Sequence, residues 1–405
     1  MIRLERKKMH QDNRKAYGLL PLRRNYQSPH THYTQIRAYD SIYFDETSQC
    51  WLVTGHAPAT TILNDPRFTS QLGVNFTSSI ASISKQMIFM DGEKHTRSQH
   101  AMMRPLAVIA KKLPDEIRSF SQDLLTDKQK SGEIDLVSDF ASKISLFSIA
   151  RIMGIPADDW DLLLQLERWS DTFGDRTSGY FNGNSQDILH LETYFQQLIA
   201  TKRQSPTDDL LSAIINDQEA FPTEEDLVAN CMMIFAAGRV TTKKLLGNGI
   251  PLLLQDWEHI RQEYQAHPKT FPKMLCEELL RMVTPTRYIM RQATEDVNLS
   301  TTFPGQHLIH QGDRVLIFLE AVDRDPAIFD DPDTFSPQRR PNKHLAFGFG
   351  SHQCLGATLA RIEIQSTLEA LLSLPTLRLK PDSIPSWNPN PNLGGYTSCP
   401  ALFQR

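Results

Sequence analysis

One cysteine stands between two glycines in Phe347-Gly-Phe-Gly-Ser-His-Gln-Cys354-Leu-Gly356, and the residues after it, Ala357 to Arg361, begin an apolar helical pattern. A thiol at a helix mouth lies in the positive end of the helix dipole, among backbone N–H groups that no side chain obstructs, so its anion is favoured. A thiolate is a metal ligand. Gly350 and Gly356 remove side chains where a flat cofactor must lie close to the main chain, and Phe347 packs beside the sulfur to exclude water. N–H groups on the sulfur moderate its electron donation to a metal. The competing reading is a buried structural cysteine at a helix start, the usual fate of an isolated Cys-x-Gly. The whole pattern, Phe-x-x-Gly-x-x-x-Cys-x-Gly with His352 two residues before the cysteine, favours the ligand.

The segment resembles the haem-binding loop of the cytochrome P-450 superfamily, in its soluble bacterial form. Further similar stretches are Glu278-x-x-Arg281, Ala321 to Pro326, Phe335 to Leu345, Trp51 to Thr54, Asn64 to Phe68 and Met90 to Arg97, so the resemblance spans roughly residues 40 to 403. It implies the cytochrome P-450 fold, mainly α with small β-sheets, and haem b (iron protoporphyrin IX) ligated by Cys354 within a loop that includes Phe347, Gly348, His352 and Gly356. Cations for the two propionates would be His95, Arg291 and His352. Where the family often has an arginine, four residues beyond His95, this chain has Gln99, so one propionate would be held by that neutral amide or by water, with Arg97 as a less well-aimed substitute. Glu278, Arg281 and Arg339 are expected to form a buried ion cluster. The wall of the substrate cavity is expected from Met87, Met90, Ile289, Met290 and Tyr396.

A second centre is Met232 to Gly249. Gly238 in mid-helix costs helix propensity, which is tolerable where something lies against the backbone beside it and Ala237. By resemblance, Ala237 and Gly238 leave room for dioxygen, and Thr241 is the hydroxyl that steadies water there. Its alternative is a hydrogen bond back to the carbonyl four residues earlier. Before that threonine the family usually carries an acid, and here stands Val240, which holds no proton. Arg239 has two readings, contact with a substrate carboxylate or a sideways salt bridge.

These groups need a large scaffold. The chain has 405 residues, yet no low-complexity linker divides it, so one haem-thiolate oxidase domain is expected over 31–405, after a basic and mobile leader over 1–30. The five cysteines are scattered without Cys-x-x-Cys spacing, which argues against disulfides or a zinc site and for a reducing, cytoplasmic setting. A net charge of -4 gives no reason to expect nucleic acid. Neither a membrane anchor nor a signal peptide is expected, since no apolar run near the start is long enough.

Apolar periodicity predicts helices near 57–64, 94–108, 113–129, 139–153, 158–170, 186–203, 207–216, 224–254, 257–265, 271–282 and 356–372, with Asp158, Pro222 and Thr223 at helix starts. Strands are predicted at 42–44, 50–54, 287–291 and 314–318, with a terminal hairpin around 377–380 and 401–403. Segments 70–90 and 171–186 lack a clear period. In the resembled family such segments are mobile walls over the substrate.

The expected activity is that of a monooxygenase acting on a small specialised-metabolite substrate, free or carrier-bound, with electrons from a ferredoxin-type donor and a separate reductase. Two rivals remain: the same haem chemistry ending in phenol coupling, desaturation or ring formation, and a non-catalytic haem-based ligand binder.

Overall fold

Helices form where the chain supplies both a cap and an apolar stripe. The clearest case is the helix over Glu224–Leu253, where Thr223 accepts from the Asp226 N–H (3.2 Å) and Asp226 accepts from the Thr223 N–H (3.1 Å). Three acids in its first turn add to the dipole's stabilisation. The computed structural model describes residues 18–19, 22, 27–72, 81–180 and 184–403. Most of the expected leader, and parts of the aperiodic segments at 70–90 and 171–186, lie outside the described residues.

In chain order the elements are α1 (His30–Tyr39), β1 (Ile42–Asp45), β2 (Cys50–Val53), α2 (His56–Asn64), β3 (Phe68–Thr69), α3 (Ala81–Ser84), α4 (Gly92–Ala110), α5 (Leu113–Ser131) and β4 (Glu133–Asp135). A π-helical turn (Leu136–Ala141) leads into α6 (Ser142–Met153), α7 (Trp160–Thr177), α8 (Ser185–Gln204), α9 (Leu210–Ile214) and α10 (Glu224–Leu253). Then come α11 (Trp257–Ala266), α12 (Phe271–Val283), β5 (Tyr288–Ala293), β6 (Val297–Asn298), β7 (Leu308–Ile309), β8 (Arg314–Phe318) and α13 (Leu319–Val322). The last are α14 (Ala357–Leu372), β9 (Arg378–Leu379), β10 (Ser386–Asn388), β11 (Gly395–Ser398) and β12 (Pro400–Leu402).

Three local expectations change. Asp159, not Asp158, caps α7 through the Leu162 N–H (3.0 Å), and the helix continues through 171–177, where buried Thr172 and Phe173 hold it. Asp135 accepts from Val137 and Ser138 (2.9 Å each), so the helical path begins at 136 rather than 139. The terminal strands β9 and β12 do pair antiparallel, but the separate hairpin β10–β11 lies between them in sequence, and β4 flanks β12. Helix α1 was missed because only Tyr33 and Ile36 of its ten residues are buried, too few to show a period.

The largest sheet has the order β1-β2-β8-β5-β3, with β2 and β8 parallel and the other pairs antiparallel. Strand β5 sits inside it, which fixes the alternation that sends Ile289 and Arg291 to one face and Tyr288 and Met290 to the other. Ile289 packs with the cluster under α2, Met290 with the cluster under α1. The main core is helical and surrounds α10, whose residues are buried on nearly every side.

Candidate active site

The cysteine loop is braced from three directions. Gly348 and Gly350 adopt positive φ (69° and 77°), and the Cys354 N–H closes the loop on the Phe347 carbonyl at 2.8 Å. The Arg361 guanidinium lies 4.5 Å from the centroid of the Phe347 ring, and Arg361 pairs with Glu277 at 2.7 Å. Glu277 also receives His344 at 3.0 Å. Against the effect of burial, hydrogen bonds from His344 and Arg361 hold its carboxyl down at about 2. Glu277 and His344 were not picked out as site residues in the sequence, because an Arg361–Glu277 contact joins positions far apart in the chain.

Two expectations for this loop are corrected. A Cβ on Gly350 would lie 2.5 Å from the Leu63 carbonyl, so this glycine is required by the close approach of α2 rather than by a cofactor. The thiol itself is raised, not lowered: desolvation by the surrounding protein outweighs the Gly356 N–H and the Arg361 charge. Helix α14 begins only at Ala357, and its dipole does not overcome that desolvation. A metal that binds there displaces the proton. Cys354 is nonetheless exposed, whereas the other four cysteines are buried.

Helix α4 and strand β5 bring a cationic group to the loop. The rings of His95 and His352 stand 4.0 Å apart, and His352 Nε2 lies 2.9 Å from Asp91 Oδ1. Asp91 also accepts from the Ser70 hydroxyl (2.8 Å), the Ser70 N–H (3.0 Å) and Thr69. Burial opposes its ionisation, yet these bonds, led by that from His352, hold it well below the usual carboxylate range. Burial, with His352 nearby, lowers His95 to about 4, so its ring is neutral. Asp91 is the functional residue that sequence reasoning passed over, since its partners Ser70 and His352 lie far from it in the chain. Its side chain caps nothing and orients His352 instead.

Arg291 is buried, lowered to about 10 by that burial, and donates to the Met290 carbonyl at 2.9 Å. A five-donor guanidinium, a histidine held by one carboxylate and a second imidazole make a set that two further carboxylates would complete. The residues thus suit a porphyrin with two propionates. Gln99 donates to the Ser351 carbonyl at 3.2 Å and straps α4 to the loop. Arg97 is not a substitute for the usual arginine, because it turns outward to Glu93 at 2.8 Å.

On α10 the open side is Ala237, exposed in the middle of a helix otherwise surrounded by core. Thr241, on the same stripe, donates its hydroxyl to the Ala237 carbonyl at 2.8 Å, leaving its lone pairs to accept from a neighbour. Gly238 points elsewhere. A Cβ there would lie 2.8 Å from Ile149 Cδ1, so the glycine admits α6 and not dioxygen. The next turn ties α10 to the cysteine's own helix, since the Thr242 hydroxyl lies 3.3 Å from Glu363 Oε2 on α14. Burial raises that carboxyl to about 8.

Arg239 takes the sideways option. Fully buried, it donates to Ser170 Oγ (3.1 Å), Glu167 Oε1 (3.3 Å), the Glu167 carbonyl (3.2 Å) and Asp171, all on α7. Lys243 joins Glu167 at 2.6 Å. Of the expected wall, Met87 is buried in the main core with its N–H on Asn230 (2.9 Å), and Met290 is corrected too, since it leaves β5 on the face opposite Ile289 and packs under α1, whereas Met90, Ile289 and Tyr396 are half-buried. The side chain of Ile289 reaches the loop, lying 3.4 Å from where a Gly348 Cβ would be. Tyr396 stacks edge-on against Trp387 with centroids 4.9 Å apart.

Away from the opening, Glu278 and Arg281 form a doubly bonded pair at 2.7 and 2.9 Å, with neither side chain exposed. Arg339, Asn342 and the Ser336 N–H complete the carboxylate at 3.4, 3.1 and 2.8 Å. Arg281 in turn donates to the carbonyls of Asp323, Pro332 and Thr334.

Comparison with known proteins agrees with this geometry. Residues 183–397 match the family model "Cytochrome P450". The chain is 31% identical over 395 residues to the polyketide biosynthesis cytochrome P450 PksS of Bacillus subtilis, covering 91% of this chain and 93% of that protein. It is 31% identical to the mycinamicin IV hydroxylase/epoxidase of Micromonospora griseorubida, covering 88% and 90%. Among solved structures, P450BioI in complex with hexadec-9Z-enoic acid ligated acyl carrier protein superposes with a TM-score of 0.83 at 28% identity, covering 95% of this chain and 100% of that one.

Proposed function

Because the chain belongs to the cytochrome P450 family, an oxidoreductase family that binds haem b through a cysteine thiolate and uses molecular oxygen, we propose that it is a tailoring monooxygenase of acyl- or polyketide-type metabolites. The substrate is a small molecule, free or carried as a thioester. The observation that carries this reading is Cys354, the exposed cysteine, in a loop whose neighbours include the buried cation Arg291 and the His95–His352 pair. The substrate class rests on the relatives, one named for polyketide biosynthesis and one solved with an acyl carrier protein.

In this reading Cys354 ligates iron, while His95, Arg291 and His352 hold the propionates and Asp91 fixes the His352 ring. When bound, the haem supplies reductive activation of dioxygen, and its thiolate ligand favours cleavage of the oxygen–oxygen bond. Thr241 accepts a hydrogen bond from water beside Ala237, since its own proton is committed to the Ala237 carbonyl. Met90, Ile289 and Tyr396 form an apolar wall that orients the chain to be oxidised. Residues 31–405 act as one domain. Electrons come from a ferredoxin-type donor with a separate reductase, in the cytoplasm; no described helix is long and apolar enough to cross a membrane.

The test is a titration of the haem-loaded protein with acyl chains, free and attached to an acyl carrier protein, followed by product mass. Displacement of iron-bound water and a product heavier by one oxygen are expected. A product lighter by two hydrogens would move the assignment to desaturation, coupling or ring formation, and no response to any acyl ligand would overturn the substrate class.

A further inference from the structure

Val240, Gly174, Asp171, Asp175, Lys244 and Tyr396 help line a cavity of about 90 Å³ between α7, α10 and the β10–β11 hairpin. At about 30 Å³ per molecule this holds a few waters. Ala237, Thr241 and Lys244 recur at i, i+4 and i+7, so the lysine stands on the stripe of α10 that is exposed at Ala237. Lys244 is buried, and among the described residues it makes no hydrogen bond or ion pair. Its neighbours are all committed: Arg239 to Glu167 and Asp171, Lys243 to Glu167, and Asp175 to the Asn390 amide at 2.6 Å.

An unpaired buried ammonium is expensive to keep. It is less so if the proton leaves. We propose that Lys244 is a proton-relay residue, passing protons through cavity water toward Thr241 and regaining them from Asp175 and bulk solvent, on the side of α10 where Val240 has none to give. The inference rests on the monooxygenase reading, in which R–H, dioxygen, two electrons and two protons become R–OH and water. Lys244 returns to its ammonium form after each transfer, so the relay itself consumes nothing.

The charges around it favour exchange near neutrality. Burial lowers Lys244 to about 7, with Asp171 and Asp175 on α7 opposing, and Arg287 before β5 and Lys243 on α10 reinforcing. Burial raises Asp175, against the Asn390 hydrogen bond. Tyr396 from the hairpin is also raised by burial and stays neutral. Asp175 is thus shifted toward holding a proton and Lys244 toward releasing one, which narrows the gap a proton crosses between them.

The test uses haem-loaded wild type, Lys244→Met and Lys244→Arg. Lysine labelled with ¹³C at Cε should give one NMR signal that titrates at about 7 and is missing from both variants. With a surrogate ferredoxin and reductase, and no substrate, the fraction of electrons released as hydrogen peroxide rather than water is measured against pH. In wild type that fraction should climb as pH rises through about 7, because the ammonium is lost there. Both variants should release severalfold more peroxide at pH 6, with a flat profile, since arginine keeps the charge but surrenders no proton. A Lys244 signal titrating near the ordinary lysine value, a variant profile like wild type, or full rescue by arginine would each overturn the relay. If the reduced protein shows no thiolate-type carbon monoxide band, the monooxygenase reading falls instead, and the two failures are distinguishable.

Discussion

Two buried charge clusters in this molecule are built on opposite plans. At Glu278, Arg281 and Arg339 the carboxylate and guanidinium groups meet one another and a run of backbone carbonyls, and neither Glu278 nor Arg281 is exposed. At α7 and α10, Arg239 and Lys243 pair with Glu167 and Asp171, Asp175 accepts from the Asn390 amide, and Lys244, beside a cavity, has no ion-pair partner among the described residues. A saturated cluster can only hold elements together, because moving any proton strands a charge. An unsaturated one has a proton to exchange. The two clusters differ in the number of unanswered donors rather than in burial, and the relay proposal rests on that difference.

The strongest way to break the contrast is Arg281→Ala. Stranding Glu278 in the core should cost about 3–5 kcal/mol, and expression should give little haem-loaded protein, read from haem absorbance per polypeptide. Normal haem content would remove the saturated cluster from the account. Next comes Glu363→Gln, at the contact between α10 and α14. The folded carboxyl is raised to about 8 from an ordinary 4.5, so its contribution to stability is complete below about 4.5 and is lost as pH rises toward 8. Thermal melting of wild type should therefore fall over that window relative to the glutamine variant, by on the order of a few kcal/mol at alkaline pH. Parallel melting profiles would mean that Glu363 is not held neutral.

Arg239→Met sharpens the second cluster. Asp171 is half exposed and Glu167 keeps Lys243, so a smaller loss of about 1–3 kcal/mol is expected in chemical denaturation. The smallest effect belongs to Arg97→Ala. Its pair with Glu93 is exposed, so stability should change by less than about 1 kcal/mol and haem retention not at all. A marked loss of haem would restore Arg97 to the propionate group.

The helical scaffold was legible because long apolar periods and caps such as Thr223 are local signals. So was the cysteine loop, where spacing alone marked Cys354. What stayed hidden depends on partners distant in sequence. Nothing near Gly350 announces the Leu63 carbonyl, nothing near Gly238 announces Ile149, and nothing near Asp91 announces Ser70 or His352. The thiol differs for a related reason: the helix start is visible in the sequence, but the desolvation that outweighs it comes from neighbours the fold brings together. Arg239 was readable only as two options, because Glu167 and Asp171 lie on another helix.

The central claim is that Cys354 ligates a haem iron, and the carbon monoxide difference spectrum of the reduced, haem-loaded protein tests it most directly. A Soret band shifted far to the red, present in wild type and absent from Cys354→Ser, is the expected result. A well-folded, haem-loaded wild type with an ordinary band, or a Cys354→Ser variant that keeps the shifted one, would contradict it.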